Sequence, residues 1–217
     1  MKSFDLFLAR HGQTFWNLEK RLQGRKNSPL TDLGQLQAQA LGRRLRDLPL
    51  GALWSSSAPR ALQTAHLVSA QRENPLPVQG LDQLQEIHLG DWEGLTKDVV
   101  WQRWGEEARS FWHQPERWRA WGAESWLEVQ ERALEAVALI SQTGNSALAV
   151  SHGMTIQVFL WSLSGEGSQA LYRHPVVHQA SLTHVRVYPD RDRREWEVVM
   201  RDNRDHLKGL LSSQQVV

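Results

Sequence analysis

Two short apolar segments, far apart in the chain, each end in a histidine followed by a glycine. Residues 4–9 are followed by an Arg-His-Gly sequence around His11, and residues 147–150 by a Ser-His-Gly sequence around His152. Apolar runs of this length are typical of buried strands. Ligands of open α/β sheets bind beyond the carboxyl ends of the strands, and neighbouring parallel strands lie roughly 5 Å apart. If these two strands are neighbours, both histidines face one crevice.

Helical and strand patterns alternate along the rest of the chain. Apolar residues at helical spacing predict helices over residues 32–48, 59–68, 126–140 and 155–163. Strands are predicted over residues 52–55 and in a hairpin of residues 181–188 and 195–201, and residues 75–80 fit a loop or an edge strand. This alternation predicts an α/β fold, a three-layer sandwich whose mainly parallel central sheet has helices on both faces. Its length suits a single domain over residues 1–217.

Composition excludes several classes of function. The chain has no cysteine, which removes disulfides, thiol nucleophiles and cysteine-ligated zinc. The formal net charge of +1 gives no strong overall electrostatic attraction to nucleic acid or to an anionic membrane. No apolar run is long enough to span a bilayer, and the first ten residues fit a strand better than a signal peptide. We therefore expect a cytoplasmic protein that binds neither nucleic acid nor membranes.

Four sequence blocks together resemble one enzyme family. The first is the stretch of residues 8–24, which reads LARHGQTFWNLEKRLQG, followed by SPLT at residues 28–31. The others surround Arg60, Glu86 and His152, and all four occur in the family's order over roughly residues 5–160. The chain resembles the histidine phosphatase superfamily, in its phosphoglycerate-mutase-like branch. The departures, such as Asn27 in place of a common aspartate and Ser57-Ala58 in place of Asp-Leu, touch no proposed catalytic group.

The resemblance implies a role for each matched residue. His11 would be the nucleophile, because a neutral imidazole has a lone pair near pH 7 and can attack phosphorus without a separate base. Arg10, Arg60 and His152 would surround the phosphoryl oxygens, whose charge grows during transfer. Glu86 would protonate the leaving group and then activate water, although Asp91 and Glu93 lie close by in the sequence. The expected phosphate- and substrate-binding residues are Gly12, Thr14, Asn17, Gln23, Gly24, Gly153 and Met154.

These roles predict a phosphomonoester phosphatase that forms a phosphohistidine and needs no metal or cofactor. The main alternative is a phosphoglycerate mutase with the same site, but this chain lacks that enzyme's longer middle insertion with its basic and tyrosine residues. Less favoured are a metal hydrolase built on His11, His88, His113 and His152, and a phosphate-binding module without catalysis. The identity of the small-molecule phosphomonoester substrate stays open, and the candidates are sugar phosphates, phosphoglycerates, nucleotides and α-ribazole phosphate.

Residues 97–125 form a tryptophan-rich segment that is expected to cap the site. The aromatic residues in and next to it are Trp101, Trp104, Phe111, Trp112, Trp118, Trp121 and Trp126. Two interpretations remain: an apolar wall that selects an organic leaving group, or rings that pin short helices onto the domain, and we favour the second. The predicted hairpin of residues 181–201 could offer an edge strand for a homodimer, or its edge could be covered.

Overall fold

A six-stranded sheet forms the centre of the protein in a computed structural model, which describes residues 3–118, 122–144, 146–189 and 194–211. The strands are β1 (Phe4–Arg10), β2 (Ala52–Ser55), β3 (Val78–Gly80), β4 (Ala147–Ser151), β5 (Leu182–Pro189) and β6 (Arg194–Asn203). Their order is β3-β2-β4-β1-β5-β6; the first four are parallel, and β5 and β6 run antiparallel to their neighbours. The predicted α/β class and the mainly parallel sheet are confirmed.

Helices cover both faces of this sheet. They are α1 (Phe15–Leu18), α2 (Asp32–Leu45), α3 (Pro59–Ser69), α4 (Lys97–Arg103), α5 (Gly105–His113), α6 (Trp126–Ser141), α7 (Gly153–Ser162) and α8 (Lys208–Leu211). Alternate residues of β4 face opposite layers: Ala147 and Ala149 pack with α6 and α7, whereas Leu148 and Val150 pack with α2 and α3. In the part of the chain that the structure describes, no helix is long and apolar enough to cross a membrane.

The pairing of β1 with β4 brings the two His-Gly sequences together. Arg10 lies opposite Ser151 in the parallel register, so both strands end at the same edge. The backbone N–H of His11 then donates to the carbonyl of Ser151 at 3.0 Å. Both strands extend one residue beyond their predicted ends, so each histidine follows directly after the last strand residue.

The tryptophan-rich segment packs against the side of the domain formed by α6 and α7. Trp92, Trp118 and Trp126 are nearly fully buried in one cluster with Phe111 of α5. The ring of Trp92 stacks on Trp112 with centroids 5.7 Å apart. These contacts favour the interpretation that the rings pin the short helices in place. Trp121 lies outside the described residues, and the cap over the site stays a prediction.

Strand β6 is an edge of the sheet in the described chain. Val198 and Val199 of this strand are each 43% exposed. The turn predicted at residues 190–193 lies outside the described residues, whereas both arms of the predicted hairpin are present as β5 and β6. An exposed edge strand can pair with another chain, but charged side chains, a bulge or a covering segment can also protect such an edge from pairing. The homodimer therefore stays a prediction.

Candidate active site

A pocket opens at the carboxyl edge of the parallel strands, with a volume of about 460 Å³ that includes its solvent-open mouth. Nine of the twelve predicted site residues line it: Arg10, His11, Asn17, Gln23, Gly24, Arg60, Glu86, Gly153 and Met154. Gly12, Thr14 and His152 lie behind this lining instead. Four lining residues were missed by the sequence prediction: Arg21, Leu22, Leu89 and Val176. Arg21 and Leu22 lie within the first sequence block, but no sequence signal marks Leu89 or Val176.

The imidazole of His11 is held in one tautomer. Its Nδ1 lies 2.7 Å from the carbonyl oxygen of Gly12, and because a carbonyl only accepts, Nδ1 carries the hydrogen. The lone pair is therefore on Nε2. Burial, with the charges of Arg60 and Arg10, lowers the pKa of His11 well below its usual value, so the ring is neutral at pH 7. A neutral ring with Nε2 unprotonated is the form that can attack phosphorus.

His152 lies beside His11, and each of its two ring nitrogens contacts another side chain of the protein. The ring centroids of the two histidines are 5.2 Å apart. Nδ1 of His152 is 3.2 Å from an Nη of Arg60, which can only donate, so Nε2 carries the hydrogen and donates to Ser56 at 2.8 Å. Burial, then the charge of Arg60, lowers the pKa of His152 well below its usual value. The fully buried ring thus supports Arg60 from behind.

The buried Arg60 and the partly buried Arg10 supply most of the positive charge of the pocket. Arg60 donates to the carbonyls of Gly24 at 2.8 Å and Lys26 at 2.9 Å, and Arg10 donates to the carbonyl of Val177 at 2.8 Å. Within the described ranges, each guanidinium keeps a buried Nε–H without a protein acceptor. Burial lowers the pKa of Arg60 to about 10, so it remains charged at pH 7. Guanidinium groups held in place in a pocket wall suit the binding of a phosphoryl group.

Glu86 lines the pocket, and its carboxylate holds the first turn of α7. One oxygen, Oε1, accepts from the backbone N–H of Ile87 at 3.0 Å and from Thr155 through its N–H and hydroxyl, both at 3.1 Å. The other, Oε2, accepts from the N–H of Met154 at 3.2 Å. The N-cap residue His152 offers no side-chain cap, so Glu86 satisfies these orphan donors. This explains why α7 begins at Gly153 and not at the predicted residue 155.

The carboxylate of Glu93, close to Glu86 in the sequence, lies outside the pocket lining. It is buried, and it accepts from the backbone N–H groups of Arg25 at 2.8 Å, Lys26 at 3.1 Å and Leu89 at 3.1 Å. It therefore holds the loop beside Gly24 and does not line the pocket. Asp91 is exposed. Of the three carboxylates close together in the sequence, Glu86 is the one on the pocket wall.

The backbone around Gly12 and Thr14 supports the pocket from behind. The N–H of Gly12 donates to the hydroxyl of Thr64 at 3.1 Å, and the hydroxyl of Thr14 accepts from the Gln23 amide at 2.5 Å. A Cβ at Gly12 would lie 2.3 Å from the carbonyl oxygen of Gly34, so only glycine allows this approach of the two backbones. These residues shape the loop from which Gln23 and Gly24 reach the pocket.

The four histidines of the metal-hydrolase alternative do not form one cluster. Of the four, only His11 and His152 are adjacent; the half-exposed His88 lies 3.7 Å from Glu93, and the ring of His113, at the end of α5, lies 6.3 Å from that of Trp101. Over residues 3–118, 122–144, 146–189 and 194–211, no group of three or more His, Asp or Glu side chains could hold a metal ion. The geometry gives this alternative no support.

The two buried histidines predict that acid destabilises the protein. Each has a lowered pKa when folded and an ordinary value near 6.5 when unfolded, so the unfolded chain binds more protons below that pH. We expect the free energy of unfolding to fall from pH 7.5 to 5.5, by up to about 1.4 kcal/mol per pH unit for each ring. His206, whose pKa is also lowered by burial, adds in the same direction.

Urea denaturation at a series of pH values measures this dependence. His152→Gln removes one of the two rings. The slope of unfolding free energy against pH should therefore be shallower in this variant than in the parent, by the contribution of about one proton, or ~1.4 kcal/mol per pH unit. An exposed histidine provides the matched control, because His66→Gln should keep the parent slope. Parent stability that does not change over this range would contradict the prediction.

Comparisons with known proteins identify the family of the chain. The profile of the Histidine phosphatase superfamily (branch 1) matches residues 6–200. A glucosyl-3-phosphoglycerate phosphatase of Mycolicibacterium vanbaalenii is 33% identical, over 76% of this chain and 76% of its own. A 2,3-bisphosphoglycerate-dependent phosphoglycerate mutase 2 of Gloeobacter violaceus is 32% identical, over 73% and 74%. The solved structure of Bacillus stearothermophilus YhfR superposes with a TM-score of 0.86 at 34% identity, over 94% of this chain and 99% of its own. The chain belongs to the histidine phosphatase superfamily.

Proposed function

We propose that the protein is a phosphomonoester phosphatase in which Nε2 of His11 takes the phosphoryl group and passes it to water. One observation carries this proposal: a neutral imidazole, with its tautomer set by the carbonyl of Gly12, lines a pocket together with Arg10 and Arg60. Phosphoryl transfer needs positioning and fixed positive charge more than it needs covalent chemistry from the protein. Both are present within one small site, and family membership supports the same chemistry.

The reaction has two steps at this site. In the first, a bond forms between Nε2 and phosphorus while the bond from phosphorus to the ester oxygen breaks, and Glu86 gives its proton to that oxygen. In the second, Glu86 takes a proton from water, whose oxygen bonds to phosphorus as the bond to Nε2 breaks. Oε2 of Glu86 is the better placed oxygen, because it accepts only from Met154 whereas Oε1 accepts three bonds. Arg10 and Arg60 stabilise the charge on the transferred group in both steps.

The outer wall of the pocket favours an uncharged organic leaving group. It is built from four apolar side chains, Leu22, Leu89, Met154 and Val176. Beyond Arg10 and Arg60, the lining has one more cation, Arg21, and it already contacts Glu19 at 2.5 Å and the carbonyl of Gly94 at 2.7 Å. A leaving group with its own carboxylate or second phosphate would find little free positive charge there. We propose small aryl and alkyl phosphates as the best substrates.

The second candidate is a phosphoglycerate mutase, which the 32% identity to the Gloeobacter enzyme favours. A direct comparison of two rates tests the choice. With 3-phosphoglycerate and a 2,3-bisphosphoglycerate primer, we expect phosphate release to exceed isomerisation, and p-nitrophenyl phosphate to be hydrolysed faster than either. EDTA should leave the hydrolysis unchanged. Isomerisation faster than phosphate release would make the protein a mutase, and loss of hydrolysis in EDTA would contradict a mechanism that uses only side chains.

A further inference from the structure

The loop that carries Glu86 has no regular structure of its own. It joins two single-turn 3₁₀ helices, Asp82–Leu84 and Gly90–Trp92. The side chain of Arg132, on α6, reaches this loop and donates through one Nη to the carbonyls of Gln83 at 3.0 Å and Gln85 at 2.5 Å. A planar guanidinium can direct several donors at once, so Arg132 fixes the backbone on the amino-terminal side of Glu86.

Glu124 fixes the other side of the same loop. Its Oε2 accepts from the backbone N–H of His88 at 3.1 Å, and its own N–H donates to the His88 carbonyl at 2.9 Å. The carboxylate also binds Arg132 through two bonds, of 2.6 and 2.9 Å. Both side chains are largely buried, with 13% of Arg132 and 10% of Glu124 exposed. Together they hold the loop on both sides of Glu86.

We propose that Arg132 and Glu124 are positioning residues that set the place of the Glu86 carboxylate in the pocket. Neither residue lines the pocket, so their contact with Glu86 runs through the backbone of its loop. Stability alone does not account for the pair, because a buried ion pair is often no more stabilising than apolar side chains of similar volume. What apolar side chains cannot do is bind the polar backbone at Gln83, Gln85 and His88 at the same time. The inference rests on the proposed role of Glu86 as the acid.

Leaving-group dependence reports on that acid specifically. p-Nitrophenolate leaves readily without a proton, whereas the alkoxide of benzyl phosphate, with a ring of similar size, needs one. The quantity to measure is kcat/KM for each ester, because it covers only the steps up to leaving-group departure. The ratio of the two values, benzyl over p-nitrophenyl, is independent of the concentration of active enzyme. A partly unfolded variant therefore still gives a valid ratio.

The variant without the proposed acid, Glu86→Gln, gives the largest change expected in the ratio. Glu86→Gln should lower the benzyl-to-nitrophenyl ratio by about 10²-fold, within the range of general acid catalysis. Arg132→Met should lower it by about 10-fold, since the acid remains but is displaced. In the Glu86→Gln background, Arg132→Met should lower the ratio no further. Glu124→Gln, which keeps the shape of the side chain but weakens its bond to Arg132, should lower the ratio in the same direction by a smaller factor.

A second arginine in the same fold provides the matched control. Arg72 also binds two backbone carbonyls, those of Leu45 at the end of α2 and of Leu48 just after it, at 2.9 and 2.8 Å, and neither residue lines the pocket. Arg72→Met should therefore leave the ratio at the parent value. A parent ratio in Glu86→Gln would overturn the proposed acid itself. If that variant responds but Arg132→Met keeps the parent ratio, or lowers it equally without Glu86, the positioning role is wrong while the proposed function stands.

Discussion

Replacing His11 with alanine is expected to lower kcat for p-nitrophenyl phosphate by at least about 10⁴-fold, as loss of a covalent nucleophile does in other enzymes. The physical reason is that no other described lining residue offers a neutral nitrogen lone pair: Arg10 and Arg60 are protonated, and Asn17 and Gln23 have amide side chains. Water would have to attack directly, without the covalent intermediate. Phosphate release with purified variant enzyme measures the loss.

A trapped intermediate makes this test specific. Acid quenching destroys a phosphohistidine whereas base preserves it, so the parent enzyme quenched in base should carry one phosphoryl group on His11 by mass spectrometry. His66→Ala, which removes an exposed histidine of α3, is the control and should keep both the activity and the adduct. A phosphoryl group found on another residue, or full activity of His11→Ala, would end the proposed mechanism.

The second large effect is expected from Arg60→Lys, although the charge is retained. An ammonium group cannot keep the bonds to the carbonyls of Gly24 and Lys26 and to His152 while also holding a phosphoryl oxygen. We expect kcat/KM to fall by about 10²–10³-fold, the usual loss for one donor to developing charge. Inhibition by inorganic phosphate should weaken in the same variant, because the product uses the same donors.

Stability should fall as well in this variant, because at least one buried carbonyl loses its donor. The expected loss is about 1–3 kcal/mol of unfolding free energy. Arg72→Lys, which also loses bonds to two carbonyls but lies away from the pocket, separates the two effects: it should lose stability and keep its kcat/KM. An Arg60→Lys enzyme with parent kcat/KM would contradict the assignment of Arg60 to the transferred phosphoryl group.

Local patterns in the sequence predicted the two strands that carry the histidines and the first-block residues that line the pocket. Apolar runs before His11 and His152 predicted two strands, and the structure shows that these strands are neighbours whose carboxyl ends meet. The first block contains Arg10, Asn17, Gln23 and Gly24 within fifteen residues, and all four reach the pocket. Such predictions succeed because strand alternation, helix spacing and short loops depend on residues that are close in the chain.

Only the tertiary structure decided how the remaining groups are used. The contact of His152 with the phosphoryl group stays a prediction, and the structure adds that its two nitrogens bind Arg60 and Ser56, residues more than 90 positions away in the chain. Glu86 was expected as the general acid and base, and the structure adds that its carboxylate also caps α7. Val176 enters the pocket wall, and Arg132 reaches the Glu86 loop, with no local signal. Hydrogen-bond partners of buried polar groups are chosen by packing between distant segments, so the residue pattern around any one of them does not name its partner.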